Sequence, residues 1–309
     1  MTRVVWPGNK AFAFTVFDDP DAQTIERGKA AYDLLIDCGF RTTKAVWPVR
    51  GPGQPSDGAM TCAEPEYLKW ALELQARGFE IGWHGATLHT SRREETIAGL
   101  DKFREYFGQY PAAMAQHFFC EENVYWGDGR VSGLNRLTYN LLTRWKNHRR
   151  FFGEASGHPY YWADICRQRI KYVRNFVFGD INTLKACPLL PYHDPARPCV
   201  NHWFASSEGA NVESFNRCIS EAAQDRLEQE GGACIMYAHF AHGFCPKGVL
   251  NGRFRDLMQR LARKNGWFVP VSTLLDYLLE QRGPVVISTA ERRALERKWL
   301  LHKMRFGVA

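Results

Sequence analysis

Residues 11–20 read AFAFTVFDDP. The aromatic and β-branched residues, stopped by Pro20, predict a buried strand. Two acids, Asp18 and Asp19, stand at its end. Side by side in a buried setting they repel each other, and each loses hydration. A cation, the work of a base, or both must hold them there. Capping of the helix that begins near Asp21 accounts for one acid and leaves the other unexplained.

Outward from this strand the pattern alternates. Residues 21–38 predict a helix stopped by Gly39, and residues 42–49 a second strand. A loop over 50–58 and a helix over 64–77 lead to a third strand, 79–83, which runs into His84. A helix over 91–107 and a strand over 112–119 follow. From Cys120 the rhythm breaks. Residues 120–177 are rich in Trp, Tyr, Arg and Asn, with one helix over 134–149, and read as an insertion within a single domain spanning 1–309. A strand is expected within 175–184, a proline-rich loop over 187–211 and a helix over 212–229. A buried strand over 233–238 runs into His239. A helix over 254–264, a strand over 267–271 and a helix over 272–281 complete the alternation. Strands alternating with helices imply an α/β fold with parallel pairing and helices outside. Residues 283–309 read as a basic helical extension, with Leu295, Trp299 and Leu300 on the apolar face of its helix. That face packs on the domain or makes a peripheral membrane contact.

With 309 residues, 45% of them apolar and 14% aromatic, the chain has material for a full core. No apolar run reaches the length of a membrane span. The N-terminus lacks the apolar centre of a signal peptide, so a cytoplasmic location is expected. Nine scattered cysteines, without a CxxC pair, read as reduced thiols. The net charge of +7 suits an acidic substrate or an anionic membrane surface. No nucleic-acid partner is expected, and the oligomeric state is left open.

Three strand ends carry reactive side chains: Asp18 with Asp19, His84 with His89, and His239 with His242. In a parallel barrel or open sheet all strand C-termini share one rim, so residues distant in sequence converge there. One Asp and two His make a zinc set with a fourth position for water, leaving the other Asp as a base. The remaining histidines, His117 among them, are expected to be structural.

These residues resemble the motifs of the polysaccharide deacetylases with a NodB-homology domain. FTVFDDP resembles the family's first motif, GFEIGWHGATLH its second, and GGACIMYAH its late strand. NGWFVPVSTLLDYL resembles its closing strand and helix. The resemblance implies a distorted (β/α) barrel with a large insertion. It implies removal of an N-acyl group, acetyl above all, from an amino sugar or glycan precursor. Asp18 would be the base and His239 the acid that protonates the departing amine. Asp19, His84 and His89 would hold a divalent metal, zinc by family. DDPD stands where the family has DDGP, and the two histidines of the second motif are one residue further apart. The third motif is replaced by AQHFFCEENVYWG, so the arginine that steadies the base is unassigned. His117, Glu121 or an arginine of the insertion could stand in for it. Trp126, Tyr160, Tyr161 and Trp162 are candidates for stacking on sugar rings. Arg149, Arg150 and Arg174 are candidates for pairing with phosphate on a nucleotide- or lipid-linked substrate. Two alternatives remain open: a metal-independent C–N hydrolase on the same fold, and a non-catalytic glycan-binding relative.

Overall fold

The computed structural model describes residues 4–53 and 56–307. The ends of the expected domain, 1–3 and 308–309, and residues 54–55 of the expected loop lie outside the described residues. The strands are β1 (Phe12–Asp18), β2 (Thr43–Val46), β3 (Glu80–Trp83), β4 (Ala113–Met114), β5 (Tyr172–Phe178), β6 (Tyr192–His193), β7 (His202–Ser207), β8 (Ala233–Ala238), β9 (Gly266–Phe268) and β10 (Val285–Val286). Seven of them, in the order β7-β5-β4-β3-β2-β1-β8, form a parallel barrel that closes where Ser207 of β7 meets Met236 of β8. The fold class expected from the alternation is therefore the one observed. β6 lies antiparallel on the outside of β7, with β10 beside it.

Helices cover the barrel. They are α1 (Ile25–Asp37), α2 (Pro65–Ala76), α3 (Arg93–Phe107), α4 (Gly133–Leu142), α5 (Ala163–Arg169), α6 (Thr183–Ala186), α7 (Val212–Cys218), α8 (Glu221–Glu230), α9 (Gly252–Ala262), α10 (Val271–Arg282) and α11 (Thr289–Phe306). With helices outside and side chains filling the barrel, every residue of β1 is buried on either face. Phe17 points into the barrel, where its ring lies 6.1 Å from that of Phe204 on β7. A Cβ on Gly82 of β3 would stand 3.0 Å from Phe17 Cζ, so a glycine there makes room for the ring.

Several elements differ from the sequence reading. The stretch 187–211, read as loop, contains β6 and β7, and β7 is the strand that closes the barrel. The four prolines mask it, because they cluster before Val200 and the strand begins only at His202. β9 pairs with the base of β1 through Phe12–Phe14 and closes nothing. The barrel resumes at Tyr172, inside the stretch read as insertion, and the helix expected over 134–149 stops at Leu142. Arg144, Trp145 and Arg149 then take positive φ, which no helix accommodates.

The C-terminal helix belongs to the body of the protein. Ser288 and Glu291 form a capping box at its start. Leu295, Trp299 and Leu300 are all buried, and the Trp299 ring lies 5.0 Å from Phe176 of β5 and 5.6 Å from Tyr139 of α4. Of the two readings of that apolar face, packing on the domain is the one observed. Glu296 is fully buried on the same helix. It accepts hydrogen bonds from Ser132 N at 3.1 Å, Asn135 Nδ2 at 2.9 Å and Arg197 Nη2 at 3.2 Å. Removing a carboxylate from such a network strands its donors. Glu296→Ala is therefore expected to cost about 3–5 kcal/mol of stability, read by chemical denaturation.

Candidate active site

Side chains alternate across a strand, so Phe17 and Asp19 face into the barrel and Asp18 faces the helices. Asp18 lies opposite Lys44 of β2 in the register. It accepts hydrogen bonds from Gln23 Nε2 at 2.7 Å, the Tyr32 hydroxyl at 2.7 Å and the backbone N–H of Phe240 at 2.8 Å. The Lys44 ammonium sits 4.5 Å over the Trp70 ring and 3.0 Å from the Tyr67 hydroxyl. Burial raises the Asp18 carboxyl, against the pull of Lys44 and three hydrogen bonds. Burial also brings the Lys44 ammonium down to about 8. Asp18, expected as the base, lines no part of the rim cavity. The repulsion between two adjacent acids is relieved by sending one outward to a lysine.

Asp19 meets Arg174 of β5 in a fork-to-fork pair, with Nη1 at 3.1 Å from Oδ1 and Nη2 on Oδ2. The guanidinium also lies 4.3 Å over the Tyr237 ring. Arg174, one of the arginines of the stretch read as insertion, thus steadies Asp19, not the expected base Asp18. It is not free to pair with phosphate as expected.

Past Pro20 the chain turns. Ala22 holds φ 53°, and Gln23 N–H donates to Pro20 C=O at 3.0 Å. This turn carries Asp21 over the barrel mouth. Asp21 Oδ2 stands 3.1 Å from His84 Nε2 and 3.4 Å from His239 Nε2, while Oδ1 stands 3.0 Å from His117 Nε2. His84 follows β3 directly, and its Nδ1 is 3.8 Å from Asp19 Oδ1. His117 lies just past β4, with Cys120 Sγ 3.6 Å from its Nδ1. His239 follows β8 and is fixed through Nδ1, which lies 2.8 Å from Ala210 C=O, leaving Nε2 toward Asp21. Burial alone would raise the Asp21 carboxyl, but the charge of His84 and contacts with all three imidazoles hold it well below the usual range. Burial would lower His239, but Asp21, Asp19 and the Ala210 carbonyl bring it up to about 9.

The sequence-predicted residues are therefore divided. Asp19, His84 and His239 come together at the rim, whereas Asp18 and His89 stay outside it. His89 sits in a tight turn in which its N–H donates to Thr87 Oγ1 at 2.9 Å and its C=O accepts from the same hydroxyl at 2.9 Å. That turn holds His89 outside the cluster. Asp21 and His117 complete the cluster. Sequence reasoning missed Asp21 as a helix start and His117 as a structural histidine. The signal available was spacing, since Asp19 and Asp21 are two apart and His117 sits just past a strand, as His84 does.

A cavity of about 340 Å³ opens at this cluster. Its far wall comes from the insertion and from α11, through Trp126, Arg130, Tyr139, Asn147 and Lys303. Of the four aromatics expected to stack on sugar, only Trp126 lines it. Trp162 is buried and donates to Glu122 C=O at 2.6 Å, and Tyr161 lies under Arg93. Arg149 and Arg150 do not line it either. Arg130 does, with its guanidinium 4.1 Å from the Trp126 ring and 4.4 Å from the Trp299 ring.

No family model matches the chain, and no curated protein matches it in sequence. Solved structures do match. A Mycobacterium smegmatis protein described as a polysaccharide deacetylase superposes with a TM-score of 0.51 at 14% identity, over 93% of this chain and 97% of that one. The fold is shared with that protein. A Pseudomonas aeruginosa PAO1 protein described in the same way has a TM-score of 0.49 at 13% identity, over 90% of this chain and 94% of that one. A PuuE allantoinase has 0.48 at 12%, over 90% and 93%.

The placement of Asp18 generates a test of its own. Asp18→Ala would strand the buried donors of Gln23, Tyr32 and Phe240 and remove the negative charge near the buried Lys44 ammonium. It is expected to cost about 3–5 kcal/mol of stability in chemical denaturation.

Proposed function

We propose that this chain is a divalent-metal-dependent hydrolase of non-peptide C–N bonds that removes an N-acyl group, acetyl above all, from an amino sugar. The observation that carries the reading is the convergence of Asp19, Asp21, His84, His117 and His239 on one rim cavity. Asp21, His84 and His117 fit a metal. Their ligand atoms lie within 4.8 Å of one another, and the set of one carboxylate and two imidazoles suits zinc. Asp21 Oδ2 is buried beside His84 Nε2 and His239 Nε2 and has no hydrogen-bond partner, so it is available as a ligand atom. Asp19 belongs to a second grouping with Asp21 and His239, but the Arg174 fork already compensates its charge. A bound divalent ion supplies Lewis acidity toward an amide carbonyl and toward water.

The chain's own groups supply the rest. Asp19, oriented by Arg174, takes the proton of the attacking water. His239, with Nδ1 held at Ala210 C=O, presents Nε2 to the leaving nitrogen and protonates it. Trp126 offers an aromatic face to the sugar ring. Arg130 supports a substrate that also carries an anion, such as a sugar phosphate. It is 5% exposed, its Nε has no hydrogen-bond partner, and no carboxylate pairs with it among the described residues. Lys303 adds a second cation to the same wall.

Metal analysis after zinc loading tests the centre. Asp21→Ala, His84→Ala and His117→Ala are expected to lose most bound zinc, whereas His89→Ala keeps it. Asp19→Asn is expected to keep zinc while acetate release falls by about 10²–10⁴. Equal zinc in every variant would refute the assignment. For the anion, Arg130→Gln is expected to raise KM for N-acetylglucosamine 1-phosphate by about tenfold or more, as loss of a charged hydrogen bond of about 1.5–3 kcal/mol requires. KM for N-acetylglucosamine should change little.

A further inference from the structure

Helix α4 is built inside out. Its buried positions are Asn135, Tyr139 and Asn140. The two asparagines are spent on the protein, Asn135 on Glu296 at 2.9 Å and Asn140 on Asp128 at 3.4 Å. Its leucines face solvent. Leu134 is 81% exposed, Leu141 is 62% exposed, and Leu137 stands with them. Positions i, i+3 and i+7 share one face, so these three side chains form a stripe. Leu142 and Trp145 extend the exposed apolar surface past the helix end. A monomeric soluble protein has little reason to turn a helix this way.

The charge around the stripe is one-sided. Residues 131–153 contain no acid and carry Arg136, Arg144, Lys146, Arg149 and Arg150. Helix α11 runs alongside, and its end, from Arg297 to Gly307, holds Lys298, Lys303 and Arg305 and again no acid. Leu301, Met304 and Phe306 of this helix are exposed too. The surface adjoins the catalytic cavity, because Thr143, Asn147 and Lys303 line that cavity. Phe118 joins them there while more than half exposed, with its ring 3.6 Å from that of Phe119, which is equally exposed. Leucine and tryptophan set among arginine and lysine match a surface that is apolar beneath and anionic above.

We propose that α4 and the loop after it dock this protein on an anionic phospholipid bilayer, with the cavity mouth at the membrane surface. The leucine stripe enters the boundary between headgroups and acyl chains, and Arg144, Lys146 and Arg149 meet the phosphates. This face is distinct from the apolar face of α11, which is covered. The docking stands apart from the hydrolase reading and is tested without turnover.

The test is co-sedimentation of the full chain with vesicles of phosphatidylcholine, with and without phosphatidylglycerol, at low and high salt. The expected result is binding to the anionic vesicles that weakens with salt and is lost on pure phosphatidylcholine. The pair Leu137→Ser and Leu141→Ser, both on the exposed face, is expected to lower the partition at least about tenfold. Lys146→Gln and Arg149→Gln are expected to lower it about fivefold each. Wild-type protein that stays in the supernatant with anionic vesicles at low salt overturns the proposal, as does unchanged binding of the leucine pair. Sedimentation velocity covers the other occupant. A wild-type dimer that the leucine pair splits, without vesicle binding, assigns the face to a second copy of this chain and overturns it equally.

Discussion

The alternation of side chains along β1 sorts the acids, and the rest of the site follows from that sorting. A strand buried on both faces has no solvent side, so each carboxylate at its end needs its own compensation. Asp18 finds Lys44 and three donors behind the barrel, and Asp19 finds the Arg174 fork within it. Asp21, beyond the strand, is carried by the Pro20 turn to three imidazoles. Each acid thus has its own principal partners, although the three lie within four residues and His84 stands between Asp19 and Asp21. The hydrogen bond from Phe240 N–H to Asp18 also ties the end of β1 to the chain just after His239. The structural acid and the candidate proton donor are therefore set in register with each other.

Much of this architecture was readable in the amino-acid order. Strand and helix alternation, with glycine stops, indicates a parallel α/β fold because period and length distinguish the elements, and the motif resemblance implied the barrel. The strand ends before His84 and His239 were equally legible. The face of β1 was not, because a strand apolar on both sides carries no period-two signal to tell inward from outward. The adjacent pair Asp18–Asp19 therefore drew attention, while Asp19 and Asp21 do the converging. His89 failed as a cluster member for a local reason, the turn closed by Thr87. His117 was hard to see because the expected strand, 112–119, ran past it, whereas the paired strand stops at Met114 and leaves His117 on the rim. β7 was hidden by the prolines that precede it, although it completes the barrel.

The middle of the chain and its end were legible only as composition. Their aromatics and arginines looked alike, yet the structure gives them different tasks. Trp162 is core, Tyr161 lies under a surface arginine, and Trp126 faces the cavity. Arg174 orients a carboxylate, Arg149 stands in solvent, and Arg130 lies against two indoles. Only three-dimensional neighbourhood separates these cases, because burial and pairing are not functions of residue type.

The contact of Arg130 with Trp126 and Trp299 joins two segments that lie far apart in the chain. One indole comes from the stretch between β4 and β5, the other from the last helix. Neither segment keeps its shape of the pocket wall without the other, since Glu296 and Trp299 also seat α4. Transplanting the middle stretch onto another barrel of this kind would therefore carry half a wall. The two segments form a single structural unit, and a side-chain change in one is felt at the contacts of the other.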